Sequence, residues 1–268
     1  MKAQEKKSRS VIEDYIKAKR NKQEKVLIPF IMAGDPDMES TEKLALEILD
    51  NGGDILELGL PYSDPLADGP VIQEASERAK GTKIEDVLEL VKKIRSKTDK
   101  PLVLLAYFNP IFNYGREKFI NDFYQAGLNG LVIPDIAWEE RDRLEREAEG
   151  KLDLITFISP TTSETRLEKV AKRARGFIYC VSVAGVTGTR ESFDLQVRNA
   201  IEKTKEYTDV PLAIGFGISN PEQAKEASKI ADGVIVGSAI VKRIEKLQDS
   251  PDDFAKISSF IRDLKASI

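Results

Sequence analysis

The chain has 268 residues, 41 Lys+Arg against 45 Asp+Glu, a net charge of −4, one cysteine and no histidine. Without imidazole there is no Ser-His-Asp triad, Cys-His pair or histidine-bound metal, and Cys180 alone makes neither an internal disulfide nor a thiolate zinc site. Proton transfer near neutral pH falls to Glu, Asp, Tyr, Lys or water, in an acidic chain poorly suited to a general nucleic-acid surface.

Residues 1–25 read as a polar, amphipathic helical extension carrying Val11, Ile12, Tyr15 and Ile16. They lack the continuous apolar stretch of a secretory signal, and no run approaches the ~20 apolar residues of a membrane span. A reducing, cytoplasmic setting is expected. From residue 26 onward a short apolar run followed by a charged, helix-period segment repeats to the end. The runs 26–32, 55–58, 102–108, 130–133, 152–158, 177–181, 212–216 and 233–236 have the length and composition of buried parallel strands. The segments 41–49, 84–96, 117–126, 139–148, 164–174, 195–205, 221–228 and 251–266 place apolar residues three and four apart, as helices covering a sheet do. Ser40, Ser163 and Asn220 stand at N-cap positions, and Pro221 suits a first helical turn.

Eight such pairs without a linker predict an α/β fold, a (β/α)8 TIM barrel forming a single domain over 1–268 with an extra N-terminal helix. An open doubly wound sheet is the competing architecture. The connections 59–83 and 182–194 are long and follow strands, so both lie on the face where barrel enzymes place their sites.

The acidic residues within the runs are Glu57 and Asp153. Asp153 begins its strand, on the stability face. Glu57 lies near the end of its strand, and alternation turns Ile55, Glu57 and Gly59 inward while Leu56 and Leu58 face the helices. A carboxyl buried in the barrel mouth without a basic residue on any strand should have a raised pKa. In the stiff loop that follows, Asp68 can return to the mouth as a second acid, whereas Asp64 suits a turn. Gly215-Phe-Gly-Ile-Ser219 and Gly237-Ser-Ala-Ile240 end strands seven and eight, where barrels bind phosphate against glycine turns and a helix N-terminus. Gly185-Val-Thr-Gly-Thr-Arg190 can close over the same group. No lysine lies within a strand for an imine, which leaves carboxylate acid-base chemistry on a phosphorylated substrate that supplies its own electron sink.

These motifs are familiar together. Glu57 followed by Leu58-Gly-Leu-Pro-Tyr-Ser-Asp-Pro-Leu-Ala-Asp-Gly-Pro70 closely resembles the signature of tryptophan synthase alpha subunits. The resemblance runs from Pro29-Phe-Ile-Met-Ala-Gly-Asp-Pro36 through Gly185-Val-Thr-Gly188 and Gly215-Phe-Gly-Ile218 to Gly237-Ser-Ala-Ile-Val241. It implies a lyase that performs retro-aldol cleavage of indole-3-glycerol phosphate to indole and D-glyceraldehyde 3-phosphate. It also implies no metal or cofactor in this chain and an alpha2beta2 complex with a beta subunit that carries pyridoxal phosphate. On matching positions, Glu57, Asp68 and Tyr179 are the implied catalytic residues. Gly188, Gly217, Gly237 and Ser238 are implied at the phosphate, with Phe216 between two of them, and Thr187 is implied as the loop residue that orders and closes over Asp68. Phe30, Leu105, Val132 and Ile235 form the implied indole wall, with Tyr107 either a wall residue or a hydroxyl partner. Pro61, Asp64, Asn109 and Pro110, with Asn113 nearby, are implied at the beta interface. Leu60, Tyr62, Ala184 and Pro134 depart from the commonest pattern, and none removes a reacting group. The other readings are a different sugar-phosphate isomerase or lyase, and a weakly active barrel that mainly activates its partner.

Overall fold

The computed structural model describes residues 9–181, 190–215, 217–248 and 254–268. The strands are β1 (Val26–Met32), β2 (Leu56–Gly59), β3 (Leu102–Leu105), β4 (Gly130–Val132), β5 (Asp153–Leu154), β6 (Thr156–Ile158), β7 (Ile178–Val181), β8 (Leu212–Gly215) and β9 (Gly233–Val236). The helices begin with α1 (Val11–Asn21), α2 (Met38–Asp50), α3 (Pro70–Arg78), α4 (Ile84–Arg95), α5 (Phe108–Tyr114) and α6 (Arg116–Gln125). They continue with α7 (Asp142–Ala148), α8 (Glu164–Arg173), α9 (Arg190–Tyr207), α10 (Pro221–Ser228), α11 (Ser238–Glu245) and α12 (Phe254–Ser267).

All strand pairs are parallel, in the order β5-β4-β3-β2-β1-β9-β8-β7-β6. The two ends of that order are halves of the run 152–158, expected as one strand. Asp153 aligns with Gly130 of β4, whereas Phe157 aligns with Tyr179 of β7. The fifth stave therefore changes neighbours at Ile155 and joins the sheet's two ends through its own backbone, giving the eight-staved (β/α)8 barrel. Two carbonyls at the changeover are served by buried Arg141, whose guanidinium donates to Leu154 O at 3.0 Å and Ile155 O at 3.2 Å. That satisfies backbone acceptors where the ladder changes partners.

Other boundaries also move. The run 102–108 ends as a strand at Leu105, because the Phe108 N–H is taken by the Asp135 carboxylate at 2.8 Å and α5 begins there. Asp37 rather than Ser40 caps α2, accepting from Ser40 N at 2.8 Å. Asn220 caps α10 as expected, while Ser163 precedes α8 without a side-chain cap bond. Segment 139–148 divides into a 3-10 turn, Trp138–Glu140, and α7. The connection 59–83 contains a full helix, α3.

Alternation then sorts the side chains. Leu56, Leu58, Leu102 and Leu104 pack outward with the helices. Ile28, Ile55, Val103, Val132, Ile155, Phe177, Tyr179, Ala213 and Ile235 fill the interior with Ile12 and Ile16 of α1. The N-terminal helix thus plugs the bottom, where each buried isoleucine contributes on the order of 2 kcal/mol. Ser10 caps α1 through Glu13 N at 3.0 Å and hydrogen-bonds the buried Asp153. No helix among the described residues is long and apolar enough to cross a membrane.

Candidate active site

Glu57 lies on β2 between Phe30 of β1 and Val103 of β3. It is 1% exposed, and its Oε1 has no hydrogen-bond partner among the described residues. Burial first, and the Asp68 charge second, push its carboxyl up to about 8. At neutral pH this group holds its proton.

Tyr179 enters the interior from β7, with its ring 5.1 Å from that of Phe157 and 6.3 Å from that of Phe177. Burial, then the charges of Glu57 and Asp68, raise its hydroxyl well above its ordinary value, so it remains a neutral donor. Gly215 on β8 gives it room: a Cβ there would lie 2.5 Å from Tyr179 Oη. The sequence assigned Gly215 to a phosphate turn. Its packing role depends on the Tyr179 rotamer, which no local pattern reveals.

Asp68 is half-buried in the loop between β2 and α3. Burial lifts its carboxyl to about 6, and a hydrogen bond from Tyr107 opposes that rise. The same Tyr107 hydroxyl accepts from Ala67 N at 3.0 Å, and its ring stacks on Tyr62 at 5.1 Å. Tyr107 is therefore a hydroxyl partner of this loop. From the other side, Gln73 Nε2 donates to Asp68 O at 2.8 Å. Ser76 Oγ donates to Tyr62 O at 2.9 Å and accepts from Tyr62 N at 2.8 Å. Near pH 7 the two acids take opposite states, Glu57 protonated and Asp68 ionised.

Past β1 around the rim, after β8 and β9, Gly217 has φ +76° and Gly237 stands before α11, making no side-chain cap bond. A Cβ at Gly237 would meet nothing closer than 3.5 Å, so the protein's own packing does not require glycine there. The α11 N-terminus, beginning at Ser238, offers backbone donors and a favourable dipole to an anion. Thr187, Gly188 and Phe216 lie outside the described residues. Phe30 and Leu105 join Met32, Ile72 and Val241 in an apolar cluster at the mouth, while Val132 and Ile235 belong to the interior cluster beneath. Among the described residues no group of three or more Asp, Glu, Cys or His is arranged to hold a metal.

Outside the mouth, Asp64 is exposed and accepts from Ser63 Oγ at 2.6 Å, and Pro61 is half-buried. Asn109 Nδ2 reaches Tyr62 Oη at 3.3 Å, linking α5, which contains Pro110 and Asn113, to this loop. Two residues overlooked in the sequence flank the pair: Leu66 is 92% exposed and Phe112 58%. A leucine amid prolines and aspartates was the available signal for the first.

The family model described as tryptophan synthase alpha chain matches residues 16–268. The tryptophan synthase alpha chain of Thermoanaerobacter sp. (strain X514) is 48% identical over 244 residues, covering 90% of this chain and 93% of that one. The Synechococcus elongatus alpha chain is 49% identical, covering 88% and 91%. Tryptophan synthase subunit alpha from Legionella pneumophila superposes with a TM-score of 0.89 at 33% identity, covering 97% and 99%. A chain of tryptophan synthase from M. tuberculosis in its aminoacrylate-bound form gives 0.85 at 29% identity, covering 97% and 100%.

Proposed function

The chain belongs to the tryptophan synthase alpha chain family, and from that membership we propose that it is a lyase cleaving indole-3-glycerol phosphate to indole and D-glyceraldehyde 3-phosphate. The carrying observation is the buried Glu57 carboxyl, whose Oε1 has no partner among the described residues, with a half-buried Asp68 in the same mouth.

The protonated Glu57 donates to C3 of the indole ring and creates an indoleninium, the electron sink for the breaking C–C bond. The Glu57 carboxylate so formed removes the proton from the adjacent glycerol hydroxyl as that bond breaks. The bond pair returns to the ring, indole and the aldehyde form, and Glu57 ends protonated as it began. A carboxyl poised near neutrality serves both steps. Asp68, ionised throughout, accepts the indole N–H and offsets its developing positive charge. The neutral Tyr179 hydroxyl hydrogen-bonds the glycerol side. Gly217, Gly237 and Ser238 receive the phosphate, while Gly188, Phe216 and Thr187, outside the described residues, are assigned to the site by the family resemblance alone. The ring lies against Phe30 and Leu105, with Val132 and Ile235 below.

On the same reading the protein works with a beta subunit, which holds the pyridoxal phosphate, while this chain binds none. Pro61, Asp64, Asn109 and Pro110 face that partner, and exposed Leu66 and Phe112 supply apolar area there. Residues 1–268, barrel and plug helix, act as one domain of a cytoplasmic enzyme. The test is purified protein given indole-3-glycerol phosphate, alone and with a beta subunit. Indole release that rises with the partner supports the reading, and no release in either case contradicts it.

A further inference from the structure

A charged contact behind α3 bears on the reaction without touching the substrate. Arg78, the last residue of α3, donates from Nε and Nη2 to the two carboxylate oxygens of Asp35, each at 2.8 Å. Asp35 follows β1 and is 1% exposed. Arg78 Nη1 also stands 3.8 Å from Oε1 of Glu245, the last residue of α11. One guanidinium therefore ties together three segments that each lead into the mouth: β1 with Phe30, α3 with Asp68 ahead of it, and α11 with Gly237 and Ser238 at its start. Between them lies a small apolar contact of Phe30, Met32, Ile72, Ala75, Ala79 and Val241.

Among the described residues the Asp68 loop has few other supports. It hangs on α3 through Gln73 and Ser76, and on the start of α5 through Tyr107 and Asn109. A tilt of α3 thus carries Asp68 with it. We propose that Arg78 is a positioning residue, whose grip on Asp35 and Glu245 sets the Asp68 carboxylate relative to Glu57 and to the phosphate end of the site. The proposal rests on the lyase reading above. A planar fork suits the task because it holds direction as well as distance, which a lysine ammonium does not.

Glycerol 3-phosphate serves as a probe of the phosphate end and as a count of folded sites. Arg78→Gln is expected to lower kcat per titrated site about 100-fold, as about 1 Å of misplacement can, while glycerol 3-phosphate affinity changes less than about threefold. Arg78→Lys should recover part of that loss, remaining about fivefold below the parent. If the Gln variant does not fold, Arg78→Lys alone decides, since it keeps charge and bulk. Normal kcat per site in a folded Arg78→Gln or in Arg78→Lys overturns the proposal. So does a loss matched by equal weakening of glycerol 3-phosphate binding. The unmodified chain with its beta partner is assayed alongside: if it releases no indole, the lyase reading itself has failed.

Discussion

Both rims of the barrel bury carboxyls; those at the bottom are partnered, as is Asp35 beside Arg78 at the mouth, and Glu57 is treated in the opposite way. At the bottom, Asp54 is 3% exposed and accepts from Leu27 N at 2.9 Å, Lys265 Nζ at 2.8 Å and Tyr15 Oη at 3.3 Å. Asp153 takes bonds from Ser10 and from Arg175 Nε at 3.1 Å, and Asp232 accepts from Leu212 N at 3.0 Å. At the mouth Glu57 is as deeply buried, at 1%, yet no ion pair reaches it among the described residues and one oxygen is unpartnered. Burial therefore does not separate a structural acid from a reactive one. Partners do: the bottom acids are held by donors, whereas Glu57, with one oxygen unpartnered among the described residues, has a carboxyl raised by burial that can give and take back its proton.

The largest expected effect that tests this contrast is Glu57→Gln. It should lower kcat by about 1,000-fold or more while leaving glycerol 3-phosphate affinity nearly intact. The same change should stabilise the fold in alkali. The folded-state value of Glu57, about 8, lies above its ordinary 4.5, so the folded protein holds a proton that the unfolded chain releases between those pH values. Parent stability must fall as pH rises through that window, by on the order of 5 kcal/mol at the conversion of 1.36 kcal/mol per unit. Denaturant unfolding at pH 9 should find Glu57→Gln more stable than the parent, with the gap closing toward pH 4. A less stable variant at pH 9 would break the contrast.

At the other rim, Asp54→Ala should cost about 3 kcal/mol of stability, because Lys265 and the Leu27 N–H lose a buried partner. Its kcat per folded site should be unchanged, and a fall would erase the distinction between rims. The smallest effect belongs to Tyr107→Phe. Its hydroxyl bond opposes the rise of Asp68, so removing it should move the acid limb of the kcat/KM profile upward from near 6. The accompanying loss of rate should be about tenfold, the lower end of what one hydrogen bond to a charged group is worth. A downward movement of that limb would show that Tyr107 does not donate to Asp68.

How much of this was legible in the sequence depends on the range of the interaction. Glu57 was legible because its orientation follows from a period of two, with Leu56 and Leu58 facing the helices. The barrel itself followed from local repeats of apolar runs and amphipathic segments. The helix α3 was hidden, because its stripe of Val71, Ile72, Ala75 and Ala79 begins directly behind a proline-rich loop and spans barely two turns. The break at Ile155 depends on how β4 and β7 pair with the fifth stave, which its own residues do not encode. Arg141 on the Leu154 and Ile155 carbonyls, Tyr107 on Ala67, and Arg78 on Asp35 are contacts between separate segments. No periodicity announces them. Most other site residues came from the family resemblance, because a valine or isoleucine in a barrel strand carries no mark that tells wall from core.

The claim beneath the rest is that Glu57 carries a proton at neutral pH. Titrating the side-chain carboxyl by 13C NMR, with Glu57→Gln identifying its signal, measures this directly. The account predicts a midpoint near 8 in the folded protein. A midpoint near the ordinary glutamate value of 4.5 would contradict it.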